Sequence, residues 1–186
     1  MAIKLLTYII ILLFLGCDRC QEDVAPIDQL PPATQDGKET FGCLVNGQAF
    51  VPKGTNLGGP ILSAYYQYIQ DPNHTGFFFN VGAGRDELGR SRGVSIGTNN
   101  LLLKEGATYK LTNYYNMNEA FGHYGIYTGG IINEYFTQDI YQGELYLSRF
   151  DDVNQVVSGT FWFDAVNDKG EKVEVREGRF DVHFVK

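Results

Sequence analysis

Val157-Ser158-Gly159-Thr160-Phe161-Trp162-Phe163-Asp164-Ala165, then Asn167-Asp168-Lys169-Gly170, then Val173-Glu174-Val175 and Phe180-Asp181-Val182-His183-Phe184 form the stretch that decides the fold. Val157, Gly159, Phe161, Phe163 and Ala165 alternate with Ser158, Thr160, Trp162 and Asp164. A period of two places the first set on one face of a strand. Asn167 to Gly170 turn the chain. Val173 and Val175 continue the apolar row at odd positions, but Phe180, Val182 and Phe184 stand at even ones. Because a side chain's face follows strict parity, one extra residue must be absorbed between them. That predicts a β-bulge within Arg176 to Arg179, with Gly178 as its natural place. A bulged strand bends, as the wall of a curved sandwich or barrel requires.

Working back toward the N-terminus, the punctuation stays that of a β protein. Phe41-Gly42-Cys43-Leu44-Val45, Asn46-Gly47 and Gln48-Ala49-Phe50-Val51 read as a hairpin, since Asn-Gly supplies the two positive φ angles of a type I′ turn. Further strands are predicted at Ile61 to Ile69, Phe77 to Val81, Gly93 to Gly97, Ala107 to Thr112 and Gly143 to Phe150. No stretch after the N-terminal segment keeps helical periodicity beyond two turns. Roughly eight to ten strands cannot lie in one flat sheet with a wet face, so an all-β fold, an antiparallel β-sandwich or flattened β-barrel, is expected over residues 40–186.

The first residues read differently. Lys4 is followed by the apolar run Leu5 to Leu15 and then Gly16-Cys17. The run is shorter than the roughly 20 residues of a spanning helix but suits an export signal. Residues 1–16 are therefore expected to be a lipoprotein signal peptide, with Cys17 acylated. Residues 17–39, rich in Asp, Glu and Gln and carrying Pro26, Pro31 and Pro32, are expected to be a flexible, disordered tether. This places the domain in the cell envelope, held to the outer membrane through acyl chains on Cys17. Cys43 lies in a patterned strand and is expected as a buried free thiol, unpaired with Cys20.

Charge narrows the function classes. Without Lys4 the remaining chain carries 14 Lys and Arg against 22 Asp and Glu. Nucleic acid as a partner is disfavoured, because phosphate contacts need clustered basic residues. No catalytic motif is found: Ser63, Ser95 and Ser158 lie outside any Gly-x-Ser-x-Gly elbow. Gly82-Ala83-Gly84 lacks the third glycine and the helix of a dinucleotide loop. Glu119-x-x-x-His123 would face a metal only on a helix, and Asn116, Asn118 and Gly122 argue for a loop there. His74 and His183 read as solvated. No metal and no cofactor are expected.

The best functional signal is aromatic. Tyr109, Tyr114, Tyr115, Phe121, Tyr124, Tyr127, Tyr135, Phe136 and Tyr141 fall among glycines and asparagines. Tyrosine with asparagine suits a binding face, since rings stack while hydroxyls and amides hydrogen-bond. Tyrosine is also a favoured strand residue, so the same stretch fits a core. Tyr114, Tyr115, Tyr124 and Tyr127 are the candidate ligand-binding residues.

Leu30-Pro31-Pro32-Ala33-Thr34-Gln35-x-Gly37 with Thr40-Phe41-Gly42-Cys43-Leu44-Val45-Asn46-Gly47 resembles a family of uncharacterised lipoproteins of Bacteroidetes-type bacteria. Val157-Ser158-Gly159-Thr160-Phe161 and Gly178-Arg179-Phe180-Asp181 are similar to that family's closing strands. The resemblance implies an all-β, envelope-anchored domain and supplies no catalytic residues. Gln21-Glu22-Asp23 is similar to the acidic signal that marks surface export in such bacteria. The expected role is a non-enzymatic, outer-membrane-anchored domain that binds a glycan or an envelope protein. The alternatives are a structural accessory subunit of an envelope complex and an envelope hydrolase.

Overall fold

In the computed structural model, which describes residues 24–54, 61–72 and 75–186, Asn46 and Gly47 hold φ angles of 48° and 77°. These left-handed values fold Thr40–Val45 (β1) back onto Gln48–Phe50 (β2). The strands that follow are β3 (Leu62–Gln70), β4 (Thr75–Glu87), β5 (Arg90–Asn99), β6 (Thr108–Leu111), β7 (Glu119–Thr128) and β8 (Ile131–Phe136). β9 (Gly143–Asp151), β10 (Val156–Val166) and β11 (Lys172–His183) complete the set. One sheet runs in the order β2-β1-β11-β10-β9-β6-β7-β5-β4-β3, with β8 laid against β7. The fold is all-β. The pairings between these strands are antiparallel except at Leu111 and Ala120, where β6 and β7 meet in parallel. The signal segment, Cys17, Cys20 and His74 lie outside the described residues.

The two ends of that order meet. Val185, just past β11, donates its N–H to Ala64 O at 3.1 Å and accepts from Tyr66 N at 2.9 Å. Lys53, just past β2, pairs with Arg85 near the end of β4. The sheet thereby closes on itself as a flattened barrel. Its interior is filled by Phe41, Phe50, Phe79, Phe163, Phe180 and Phe184, each almost wholly buried. Opposed walls touch there: Phe79 of β4 lies 6.5 Å from Phe180 of β11, ring to ring. Each such side chain contributes about 1.5–3 kcal/mol by leaving water. Cys43 belongs to this core as a free thiol, and burial pushes its pKa well above the ordinary value.

The parity change is absorbed where expected. Phe161 pairs with Gly178 and Phe163 with Val175, so β11 spends one residue more than β10 between them. The left-handed residue of this bulge is Glu177, with φ 54°, and not Gly178. Gly178 answers a different need: a Cβ there would lie 2.5 Å from the Phe161 ring.

Two expectations are corrected. Residues 24–39 are not a free tether but a strap along the barrel wall. Thr34 Oγ1 donates to Asp181 Oδ2 at 2.6 Å, and the N–H groups of Asp36, Gly37 and Lys38 donate to the same carboxylate. Leu30 is buried, and Pro31 packs on Gly42 so closely that a Cβ there would lie 2.6 Å away. A proline-rich, polar segment can be ordered by docking onto a surface, which its own composition does not reveal. The second correction concerns Gly122, read as a loop marker, which lies inside the ten-residue strand β7. It is small because Phe163 crosses it from β10, with a Cβ there lying 2.7 Å from the ring.

Candidate functional site

β7 alternates around its glycines. Ala120, Gly122 and Tyr124 face the core, while Phe121, His123, Gly125 and Tyr127 face outward. Register carries this outward row across the wall: Gly125 pairs with Gly93 of β5, and Gly93 with Gly84 of β4. One step along, His123 pairs with Ser95, and Ser95 with Gly82, which pairs with Ser63 of β3. Two adjacent rows of glycine and serine thus form the floor of a trough of about 230 Å³, ended by His123 and Tyr127.

The glycines of this floor have unequal reasons to be small. Gly97, just beyond it, is covered by the ring of Phe121. A Cβ at Gly125 would lie 3.1 Å from the Tyr127 ring, which folds back over it. At Gly84 and Gly93, however, a Cβ would meet no atom of the described residues nearer than 3.8 Å, and neither residue has positive φ. Mid-strand glycine weakens a sheet, and it often marks close approach by a ligand. Among the described residues, neither packing nor backbone conformation requires glycine at these two facing positions.

The aromatic side of the site is continuous with the trough. Tyr115 meets Tyr114 at 5.1 Å, Tyr114 meets Phe136 at 4.9 Å, and Phe136 stacks on His123 at 4.6 Å. The loop presenting Tyr114 and Tyr115 is pinned: Asn99 Nδ2 donates to Tyr114 O at 2.6 Å, and Asn113 Oδ1 accepts from Tyr115 N at 3.0 Å. Glu119 closes it, accepting from Asn116 Nδ2 at 2.8 Å and from the Thr112 hydroxyl. Hydrogen bonds from Thr112 and Asn116 hold the Glu119 carboxyl below its usual range. Beside this shelf lies a cleft of about 460 Å³, bordered by Tyr114, Tyr115, Glu134 and Lys169.

Of the four predicted ligand-binding tyrosines, Tyr115 (84 % exposed), Tyr127 (39 %) and Tyr114 (37 %) stand on this outer face. Tyr124 is corrected to a core residue: it is 4 % exposed and its ring packs at 5.8 Å from Tyr135. Opposite parity on β7 separates it from Tyr127. Tyr114 and Tyr127 lie toward opposite ends of a face about 20 Å long, from the six residue steps that separate Phe121 and Tyr127.

His123 gains partners that no sequence spacing announces. Its Nδ1 is 3.4 Å from Ser95 Oγ, and its Nε2 is 3.6 Å from Glu134 Oε1. Burial lowers its pKa, and Glu134 opposes that shift only in part, so the ring is neutral near pH 7. Acyl-transfer chemistry by such a trio needs donors converging on a developing oxyanion. Ser95 stands instead on a flat strand whose residues pair with β4 on one side and β7 on the other. The arrangement suits hydrogen bonding to a ligand's hydroxyls. Glu119 and His123 are four strand residues apart, about 13 Å, and so do not form the metal pair considered for them. Among the described residues no group of three or more His, Cys, Asp and Glu could hold a metal ion.

Comparison with protein-family models, curated proteins and solved structures finds no match to this chain. The residues that sequence reasoning missed are Gly84, Gly93, Ser95 and Glu134. A signal for the first three exists: Gly82-x-Gly84 and Gly93-x-Ser95-x-Gly97 repeat small residues with period two, opposite in parity to Val81, Ala83, Val94 and Ile96.

Proposed function

We propose that this chain is a non-enzymatic saccharide-binding domain, anchored in the outer membrane through acyl chains on Cys17. The trough and the Tyr114–Tyr115 shelf together receive a glycan. A bare-backbone floor admits a flat sugar ring, aromatic rings beside it stack on the sugar's C–H face, and Ser95, His123 and Glu134 offer partners to its hydroxyls. The lipoprotein resemblance of the N-terminal and closing motifs supports the anchored setting. A structural accessory role has one observation in its favour: Ile131 and Ile132 are 65 % and 59 % exposed at the β7–β8 hairpin, where a protein partner could cover them.

The facing glycines carry the saccharide reading. Valine at position 93 would stand outward, its Cβ no nearer than 3.8 Å to any described residue, and improve strand propensity, by up to about 1 kcal/mol. Gly93→Val is therefore expected to melt at or above the wild-type temperature while losing retention on neutral polysaccharides in affinity electrophoresis. Retention equal to wild type would remove the trough from any binding role.

A further inference from the structure

The wall facing away from the trough carries a second aromatic groove. Inner faces of β4 and β7 pack against β11 and β10, through Phe79 with Phe180 and Gly122 with Phe163. The outer face of β9, β10 and β11 therefore points the opposite way. On it Trp162, the chain's one tryptophan, is 42 % exposed, and Tyr146 is 41 % exposed. Tyr146 pairs with Thr160 and Trp162 with Glu144, so the two rings are diagonal neighbours within reach of one ligand.

The indole is held in place from one side. The Arg176 guanidinium lies over it at 5.5 Å. Arg176 is itself fixed by Asp164 Oδ1 at 2.5 Å and by the carbonyls of Phe163 and Val175 at 3.0 and 2.9 Å. Opposite Trp162 the β11 bulge breaks the register, and a groove of about 490 Å³ opens between the strands' outer side chains. The Tyr146 hydroxyl, the Thr160 hydroxyl and the indole N–H make no hydrogen bond among the described residues. Charges in the groove balance, Arg176 and Arg179 against Glu144 and Glu177.

We propose that this groove is a second saccharide site, which takes a neutral pyranose stacked on Trp162 and Tyr146. A polyanion would meet the two carboxylates and a polycation the two guanidiniums. A neutral ring with several hydroxyls uses donors and acceptors of both kinds, and its C–H face suits the aromatic pair. The ligand class rests on the reading given for the trough; the residues are separate. Two sites on opposite walls would let one molecule bridge two stretches of polysaccharide.

Trp162 is a built-in reporter, because the trough contains no tryptophan. The full-length chain in mild detergent is titrated with neutral glucan, mannan, xylan and galactan, with tryptophan emission and affinity electrophoresis read in parallel. The expected result is a blue-shifted emission with at least one polysaccharide, kept in Gly93→Val and weakened at least tenfold in Tyr146→Ala, whose melting temperature is checked alongside. Retardation of the wild type with no emission change from any polysaccharide would overturn the second site and leave the trough standing. An emission shift with retardation unaltered by Gly93→Val would uphold the second site and overturn the trough. Neither retardation nor a shift would overturn both.

Discussion

Asp181 sits on β11, a residue only 1 % exposed, where burial alone would push its pKa up. The hydroxyls of Thr34 and Ser158 and the N–H groups of Gly37 and Asp36 outweigh that burial and hold it well below the usual carboxylate range. A folded value below the unfolded one, which is about 4, gives stability that is fully present above that pH and lost as pH falls below it. Asparagine would turn an N–H group toward backbone donors and leave some of them unmatched. Asp181→Asn is expected to cost about 3 kcal/mol at pH 7 and to expose residues 24–39 to protease. It should also flatten the loss of stability between about pH 5 and pH 2 relative to wild type. Equal melting of the two proteins at pH 7 would mean that the strap is held by other contacts.

At the scale of elements, the β11 bulge separates two requirements that the sequence merges at one glycine. Backbone conformation falls on Glu177 and the need for space on Gly178, against the Phe161 ring. Left-handed conformation costs a non-glycine residue about 1–2 kcal/mol. Glu177→Gly is therefore expected to be neutral or stabilising in urea denaturation. Gly178→Ala should destabilise by about 2–3 kcal/mol, because the methyl group must displace a buried ring. The opposite ranking would show Gly178 to be the conformational residue. The strap belongs to the same scale: prolines and polar residues signal a tether, and Asp181, Arg149, His183 and Gly42 on distant strands make it an element of the wall.

For the whole molecule, the barrel and its anchor pose separate questions. If Cys17 carries the lipid, Cys17→Ala should lose labelling by a palmitate analogue and leave the membrane fraction, while its melting curve stays that of wild type; equal labelling would refute the anchor. Much of the barrel was legible in sequence. Alternation in β10 and β11 named the core residues Phe161, Phe163, Phe180 and Phe184, Asn46-Gly47 named its hairpin, and the parity change placed the bulge. Each of these signals is local, since strand period, turn geometry and parity act over a few neighbouring residues. β7 escaped notice because Gly122 and Gly125 are small for rings that reach them from Phe163 and Tyr127. The site itself is a matter of register between strands: Gly84, Gly93 and Gly125 form one row, and Ser95 and Glu134 come within 3.4 and 3.6 Å of the two nitrogens of His123, only after β4, β5, β7 and β8 have paired. Sequence by itself determined which residues face inward along β10 and β11; the tertiary structure alone decided which outward residues meet, because pairing energies are summed over whole strands and leave no mark at any single position.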